Sequence, residues 1–288
     1  MYYEMLNHIE TQLQFVAVAA IDEKTAYAVS YKFNGLFKID LKTEVCEFIR
    51  FFPNLDVCKS WLFFSAVQGE KGIYFSPASA DYIALYDIEE NMIYQIPLPD
   101  LKKLHRDSNY RLGDAFYKHG NVYFIGATCG CILKLEEITG NITVIDPNIQ
   151  DEVFFRRGMM VDDIYYIPSA NSPIILEYRL KTDETIVHKI GEAGGAWSIW
   201  GDGERFWMPP RDKEGAVRCW NKCTGETSTI KIQVNDYRPQ ENNFLKIINS
   251  GDSLILSPEY ANMFLRVDMQ LIGGGLFGKP EKRLPQQR

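Results

Sequence analysis

The chain has 288 residues, of which 46% are hydrophobic and 13% aromatic, so it can bury a substantial core. Its formal net charge of -7 argues against general nucleic-acid binding, which needs a basic face opposite the phosphates. The sequence begins without a basic segment followed by an apolar one, and no apolar run is long enough to cross a bilayer. We therefore expect a cytoplasmic protein that binds neither nucleic acid nor membranes.

The predicted elements of the first repeat follow a simple order. An apolar strand at residues 15–21 is followed by a tight turn, a second strand that ends at Ser30 and a third that ends at Asp40. Turn-forming residues at 42–44 separate the third strand from a fourth at 45–49. One repeat is therefore predicted to be four antiparallel strands joined by short turns.

The same two strand ends recur five more times along the chain. The second strand of each repeat ends in a small residue or proline, at Ser30, Pro77, Gly126, Pro168, Pro209 and Pro258. The third strand ends in a polar residue, at Asp40, Asp87, Glu136, Arg179, Asn221 and Asp268. Successive repeats are about 40 to 50 residues apart, which is the spacing of propeller blades. Because two markers keep the same phase six times, we predict six equivalent repeats and very little helix.

The middle strands of each repeat are apolar on both faces, as at residues 73–75 and 164–167. A lone four-stranded sheet cannot bury both faces, whereas sheets stacked around an axis can. The predicted fold is therefore an all-β, six-bladed β-propeller of four-stranded antiparallel blades over residues 1–270, followed by a C-terminal tail at 271–288. The last blade shows only three strands. Its fourth is expected from residues 2–6, because the glycines within the alternative, residues 271–277, disfavour a strand.

Propellers usually bind ligands on the face formed by the loops that enter each blade and those that join its second and third strands. We call this the loop face. Its long entering loops are predicted at residues 52–60, 98–111, 147–157, 191–196 and 234–243. These loops are unusually basic for an acidic protein. The candidate ligand-binding residues of the loop face are Lys59, Arg106, Arg111, Arg156, Arg157, Trp197, Arg211 and Arg238.

The residue types on the loop face favour two classes of ligand. Arginine suits a carboxylate or phosphate because its guanidinium donates two parallel hydrogen bonds. An aromatic side chain such as Trp197 could stack on a sugar ring. An anionic or carbohydrate-like ligand is therefore one hypothesis. The other is that these cations pair with nearby acids such as Asp56 and Asp151.

Two cysteine patterns look like half-sites for metal or redox chemistry. They are Cys129-Gly130-Cys131 and the pair formed by Cys219 and Cys223. A zinc site needs two such pairs in a compatible arrangement, and these pairs occupy different places in the repeat. We therefore expect structural thiols.

Polar residues also recur in the loops between second and third strands. They are Asn34, Asp81, Asn171 and Asn262. A ring of such oxygens could hold a divalent cation, but Asn and Asp also allow tight turns, and the second interpretation is favoured. No cofactor is expected on this basis.

The pattern Gly72-Ile73-Tyr74-Phe75-Ser76-Pro77, followed by Tyr86-Asp87, resembles the broad superfamily of NHL, streptogramin-lyase and gluconolactonase-like propellers. The resemblance is one of architecture and covers residues 10–270. It implies either a non-catalytic binding scaffold or a metal-dependent enzyme of the lactonase or lyase type, with calcium in the central channel. The gluconolactonase metal motif is absent around residues 13–20, and no catalytic residue carries over. The favoured function is a scaffold that recognises a partner protein, or an anionic or carbohydrate-like ligand, at the loop face.

Overall fold

The computed structural model describes residues 13–100, 111–191, 194–209, 216–232, 234–238 and 240–268. Within these ranges the regular secondary structure is entirely β-strand, so they contain no helix that could cross a membrane. The chain divides into two compact units, Met1–Ile145 and Asp146–Arg288, which we call the N-terminal unit and the C-terminal unit. Each unit contains three antiparallel sheets, numbered here in chain order.

The N-terminal unit contains sheets 1 to 3, each with four strands in sequential order. Sheet 1 consists of β1 (Phe15–Ala20), β2 (Thr25–Ser30), β3 (Leu36–Asp40) and β4 (Cys46–Arg50). Sheet 2 consists of β5 (Phe63–Gln68), β6 (Ile73–Pro77), β7 (Tyr82–Asp87) and β8 (Met92–Pro97). Sheet 3 consists of β9 (Leu112–Lys118), β10 (Asn121–Gly126), β11 (Ile132–Glu136) and β12 (Ile142–Ile145).

The C-terminal unit contains sheets 4 to 6 in the same sequential order. Sheet 4 consists of β13 (Met159–Val161), β14 (Ile164–Pro168), β15 (Ile174–Arg179) and β16 (Glu184–Lys189). Sheet 5 consists of β17 (Trp200–Gly201), β18 (Arg205–Met208), β19 (Ala216–Asn221) and β20 (Thr227–Lys231). Sheet 6 consists of β21 (Phe244–Ser250), β22 (Ser253–Pro258) and β23 (Leu265–Asp268).

The two repeated strand ends are confirmed in all six sheets. Every third strand ends at the predicted polar residue, and every second strand ends at the predicted position or, for β18, at Met208, one residue earlier. The sequence Trp197-Ser198-Ile199-Trp200 is typical of an inner strand, but that interpretation is wrong, because β17 starts only at Trp200 and Ser198 forms an isolated bridge. The proposed closing strands at 2–6 and 271–277 lie outside the described residues.

The turn after the third strand has the same backbone geometry in sheets 1 to 5. The fourth residue after the polar strand end has a positive φ in every case, at Glu44, Asn91, Gly140, Asp183 and Gly225. In three of the sheets the polar end residue also accepts backbone hydrogen bonds from the turn, at Asp40, Asp87 and Asn221. A left-handed residue at this position closes a tight hairpin, so the marker seen in the sequence is a turn signal.

Alternation along each second strand divides its side chains between two neighbouring sheets. In β6, Ile73 and Phe75 join a buried cluster with residues of sheet 1, whereas Tyr74 joins a cluster with residues of sheet 3. In β18, Phe206 packs with sheet 4 and Trp207 with sheet 6. Both faces of sheets 2 and 5 are thus buried, as the apolar middle strands predict.

The first strands of consecutive sheets lie side by side within each unit. β1 neighbours β5 and β5 neighbours β9, while β17 neighbours both β13 and β21. The Ser65 hydroxyl of β5 donates to the carbonyl of Gly113 on β9 at 2.9 Å. The first strand is therefore the inner edge of each sheet in the unit.

In two repeats, the residue directly after the third strand forms hydrogen bonds with the preceding sheet. Glu137, buried after β11, accepts from the backbone N–H groups of Glu70 and Lys71 at 3.1 and 3.2 Å. A β-carbon on Gly69 would lie 2.4 Å from this carboxylate, so a larger residue there would displace it. Lys222 occupies the equivalent place after β19 and reaches back to sheet 4. Both sheet interfaces therefore contain buried polar contacts as well as apolar packing.

The fully buried carboxylate of Glu177 on β15 contacts the basic side chains between sheets 4 and 5. Glu177 accepts hydrogen bonds from Arg179 Nε at 2.9 Å, His188 Nε2 at 2.9 Å and Lys222 Nζ at 3.0 Å. Lys222 Nζ also donates to the Tyr166 hydroxyl at 2.7 Å. Burial opposes the charge on Glu177, but the hydrogen bonds from Lys222, His188 and Arg179 outweigh it and lower the pKa of this carboxyl. The cluster is therefore stabilised by an ionised Glu177.

We expect Glu177→Gln to lower the free energy of unfolding by about 2 kcal/mol at neutral pH, because it removes the buried negative charge that Lys222 and Arg179 contact. The native pKa of Glu177 lies below its usual value of 4.5, so this stabilisation is present above pH 4.5 and is lost as the pH falls through the native pKa. Urea unfolding across this range measures it. The difference between wild type and variant should persist down to about pH 5 and shrink at lower pH.

Glu184→Gln is the matched control, because Glu184 is exposed and its ion pair with Arg179 is long, at 3.6 Å. It should change the free energy of unfolding by less than about 0.5 kcal/mol. A Glu177→Gln difference that stays constant through acid pH would contradict this role for the carboxylate.

Candidate functional site

Asn34 shows how the loops of the N-terminal unit are held together. It lies between β2 and β3 with its side chain buried. Its amide nitrogen donates to the carbonyls of Phe52 and Leu55 at 2.9 and 3.2 Å, and its oxygen accepts from the N–H of Phe52 at 2.8 Å. The loop between second and third strands and the loop entering sheet 2 therefore lie on the same face, as predicted.

Two predicted cations of this unit bind the loop between β6 and β7. Lys59 Nζ donates to the carbonyl of Ser79 at 3.0 Å. Arg111 Nη1 donates to the carbonyl of Ala80 at 3.1 Å, and its backbone N–H to that of Ala78 at the same distance. Both side chains thus reach one short segment from the two entering loops beside it. Their contacts with carbonyl oxygens give them a structural role in this face.

The C-terminal unit brings Arg156 and Trp197 into direct contact. The guanidinium carbon of Arg156 lies 4.1 Å from the ring centroid of Phe154 and 3.9 Å from that of Trp197. The two rings are 6.2 Å apart and nearly perpendicular. All three side chains are partly exposed. We call this set the cation–aromatic cluster; contacts of this kind stabilise by about 0.5–2 kcal/mol each.

Three further contacts fix the position of the cation–aromatic cluster. Trp197 Nε1 donates to the side-chain oxygen of Asn242 at 2.9 Å, which links it to the loop that enters sheet 6. Arg218 of β19 donates to the carbonyls of Gly194 and Gly195, the first at 2.7 Å, and so fastens the segment before Trp197. The entering loops of sheets 4, 5 and 6 therefore meet around this cluster.

Two predicted arginines of the C-terminal unit are exposed. Arg157 follows the cluster residue Arg156 and forms a parallel bridge with Ser198, so the two entering loops run side by side. The backbone N–H of Arg238 donates to Asn262, whose amide in turn donates to the carbonyl of Asp236. Neither guanidinium forms an ion pair with any residue in the described ranges. Backbone contacts thus position both residues while their side chains face solvent.

The remaining predicted residues divide into two groups. Arg106 and Arg211 lie outside the described residues. Asp56 and Asp151, the acids suggested as partners, contact other groups: Asp56 accepts from the N–H of Cys58 at 2.8 Å, and Asp151 lies 3.7 Å from Lys189.

The recurring amides between second and third strands mostly fasten loops. Asn34 and Asn262 both bridge to an entering loop, and Asn171 accepts from the Ser169 hydroxyl at 2.8 Å. These contacts agree with the interpretation of the amides as loop-forming residues. The part of the chain that the structure describes contains no group of three or more His, Cys, Asp and Glu side chains placed to hold a metal ion.

The sequence interpretation missed a cleft at the opposite end of sheet 2. It has a volume of about 520 Å³ and is lined by the β5–β6 and β7–β8 turns, including Glu70, Asp87, Glu89 and Glu90. Tyr94 on its wall donates to Glu90, and Tyr117 donates to Glu70 at 2.9 Å. The repeated turns had been interpreted only as connections. No sequence signal distinguishes this pair of turns from the others except its acidic composition.

Comparisons with known proteins identify the fold. No protein-family model matches the chain, and no curated protein matches it in sequence. Its structure is similar to that of virginiamycin B lyase from Staphylococcus aureus, with 14% identity and a TM-score of 0.67 over 96% of this chain and 87% of that one. It is also similar to YCF48 bound to D1 peptide (13% identity, TM-score 0.68, 93% and 82% covered) and to U3-55K (10%, 0.64, 93% and 81%). At these identities the likeness shows the fold alone: the chain is a β-propeller, with the six sheets as its blades.

Asn34→Ala should lower the free energy of unfolding by about 2 kcal/mol, because it leaves the buried N–H and C=O of Phe52 without their side-chain partner. Urea or thermal unfolding measures the loss. Gln150→Ala serves as the control, because Gln150 forms exposed hydrogen bonds to Asn148, and it should cost less than about 0.5 kcal/mol. Equal effects from the two substitutions would show that Asn34 does not fasten the entering loop.

Proposed function

We propose that the chain is a non-catalytic binding module whose loop face in the C-terminal unit recognises an acidic peptide segment of a partner protein. The observation that carries this proposal is the cation–aromatic cluster, in which Arg156 contacts both Phe154 and Trp197. The exposed Arg157 and Arg238 lie on the same loops. This part of the molecule offers aromatic faces and positive charge in a protein whose formal net charge is -7.

Stacking is compatible with anion binding because the two use different parts of the guanidinium. Phe154 and Trp197, whose rings are nearly perpendicular, both contact the guanidinium carbon of Arg156, whereas a carboxylate binds the N–H groups that point outward in the guanidinium plane. Contact with two rings also limits the motion of the guanidinium, so less entropy is lost when a carboxylate binds its N–H groups. The cluster therefore suits recognition of a carboxylate.

The exposed arginines suit the encounter with an acidic partner. Charges at the rim of an interface raise the association rate and favour partners of opposite sign more than they add affinity. Their contribution is screened by salt, since exposed charges interact weakly beyond about 10 Å at moderate ionic strength. Binding through this surface should therefore weaken as salt is added.

The comparisons support a binding role only at the level of the fold. YCF48 is a propeller of similar structure that was solved bound to a peptide. Virginiamycin B lyase, by contrast, is an enzyme on the same fold, and function does not follow from fold alone. The choice of a peptide ligand therefore depends on the arginine and tryptophan side chains of this chain. A carbohydrate-like ligand would use the aromatic faces without requiring the arginines.

The test is binding of an unstructured glutamate-rich peptide, with the corresponding glutamine-rich peptide as the uncharged probe, measured by calorimetry at low and moderate salt. We expect the glutamate peptide to bind at least about tenfold more tightly, and added salt to reduce the difference. The double variant Arg157→Glu/Arg238→Glu should weaken binding about tenfold or more, and Trp197→Ala should also weaken it.

Lys231→Glu is the matched control, because Lys231 is an exposed cation on β20, the outer strand of sheet 5. It makes the same change of charge as either arginine substitution alone, but away from the loop face, and should alter the affinity by less than about twofold. Equal binding of the two peptides, no binding of either, or an equal loss in the Lys231→Glu variant would contradict the proposal. Calcium-dependent turnover of a lactone would instead favour the enzymatic alternative.

A further inference from the structure

We propose that Cys129 and Cys131 form a redox site that closes to an internal disulfide when a peroxide oxidises it. Their sulfur atoms lie 3.1 Å apart in the loop between β10 and β11. That separation is only about 1 Å longer than a disulfide bond. The two cysteines are not joined in this structure. The proposal concerns the N-terminal unit and is independent of the proposed peptide-binding function.

Two glycines allow the sulfur atoms to approach each other. Gly130, between the cysteines, has a φ of 70°, which turns the backbone so that both side chains lie on the same side. Gly126 provides the space, because a β-carbon there would lie 2.2 Å from Cys129 Sγ and 3.1 Å from Cys131 Sγ. The N–H of Gly126 also donates to the carbonyl of Cys131 at 2.8 Å and closes the loop. The loop is thus built around the sulfur pair.

Because Cys129 and Cys131 are buried, only a small oxidant can reach their sulfur atoms. Cys129 and Cys131 are 7% and 5% exposed and belong to the core cluster that contains Leu112 and Phe124. A small molecule such as hydrogen peroxide can enter where a protein disulfide cannot. Exposed cysteines elsewhere in the chain are open to all reagents but have no second sulfur in contact; they are Cys46, Cys58 and Cys223.

The second cysteine motif does not form an equivalent pair. Cys219 is buried on β19, whereas Cys223 is exposed in the turn that follows. Of the two motifs, only Cys129-Gly130-Cys131 brings its thiols into contact in this structure.

The chemistry balances in two steps. One thiol, as its thiolate, attacks a peroxide oxygen; the O–O bond breaks, the sulfur becomes a sulfenic acid and one water is released. The second thiol then attacks that sulfur, the S–O bond breaks, and a disulfide and a second water are formed. Overall the pair loses two protons and two electrons, that is, two hydrogen atoms, and the peroxide is reduced to two molecules of water. A dithiol reductant reverses the change by thiol–disulfide exchange.

Closing this disulfide would act on the loop face of the N-terminal unit. Gly126 pairs with Leu112 at the start of β9, and the preceding residue, Arg111, holds the loop between β6 and β7. The sulfur atoms must move about 1 Å closer to bond, and the short loop that carries them must follow. Oxidation would therefore move the backbone next to Arg111.

The experiment treats the reduced, folded full-length chain with hydrogen peroxide, alkylates the remaining thiols and maps the peptides by mass spectrometry. We expect the peptide that contains Cys129 and Cys131 to lose two hydrogen atoms, gain no oxygen and resist alkylation. Dithiol reductant should restore both alkylation sites. Cysteines without a partner should instead gain oxygen atoms, because their sulfenic acid has no thiol to condense with.

Cys129→Ala removes one sulfur, so Cys131 should then gain oxygen or remain reduced, without hydrogen loss. Cys46→Ser is the matched control and should leave the oxidation of the pair unchanged. Because the native wild-type map decides the question by itself, a variant that fails to fold does not obscure it. The proposal would be overturned if both sulfurs of the wild-type peptide were alkylated or separately oxygenated. It would also be overturned if either cysteine formed a disulfide with another thiol.

Discussion

The structure depends on one packing constraint: the two faces of a middle strand are buried against different neighbouring sheets. Phe75 packs toward sheet 1 and Tyr74 toward sheet 3, although they are adjacent in sequence. Sheets 2 and 5 therefore each support both neighbours within their unit, and neither can be removed without exposing two apolar faces. The same division occurs at Phe206 and Trp207 in the C-terminal unit. A rigid set of sheets is what allows the entering loops to hold side chains in defined positions.

Most of the fold could be predicted from the sequence because its signals are local. The polar residue that ends each third strand marks a turn in which a left-handed residue follows four positions later, as at Asp40 and Glu44. Because such a turn depends on a few neighbouring residues, it can be recognised in a single sequence. The apolar character of both strand faces in turn required stacked sheets.

The contacts between repeats could not be predicted in the same way. Glu137 and Lys222 occupy one repeat position that elsewhere holds Leu, Ile or Met, and nothing in the sequence shows what they contact in the preceding sheet. Trp197 resembled a strand residue, but its position is set by Arg156 and by Asn242, which is 45 residues away in sequence. These features depend on side chains from different sheets, which composition and periodicity do not report.

The candidate loop-face residues were chosen together by charge, but the structure gives them different surroundings. Lys59 and Arg111 bind carbonyl oxygens and shape a loop, whereas Arg157 and Arg238 extend into solvent. Arg156 is intermediate, because two aromatic rings contact its guanidinium and its side chain is partly exposed. The cation–aromatic cluster therefore gives the C-terminal unit a surface that combines fixed geometry with exposed charge.

The packing constraint can be tested most directly by double-mutant cycles between strand β6 and its neighbours. The rings of Phe52 and Phe75 are 5.4 Å apart and nearly perpendicular, whereas Tyr74 belongs to the other interface. Phe52→Leu and Phe75→Leu should be coupled by at least about 0.5 kcal/mol in urea unfolding, and Phe52→Leu and Tyr74→Leu should be additive. Equal coupling in the two cycles would contradict the assignment of adjacent side chains to opposite interfaces.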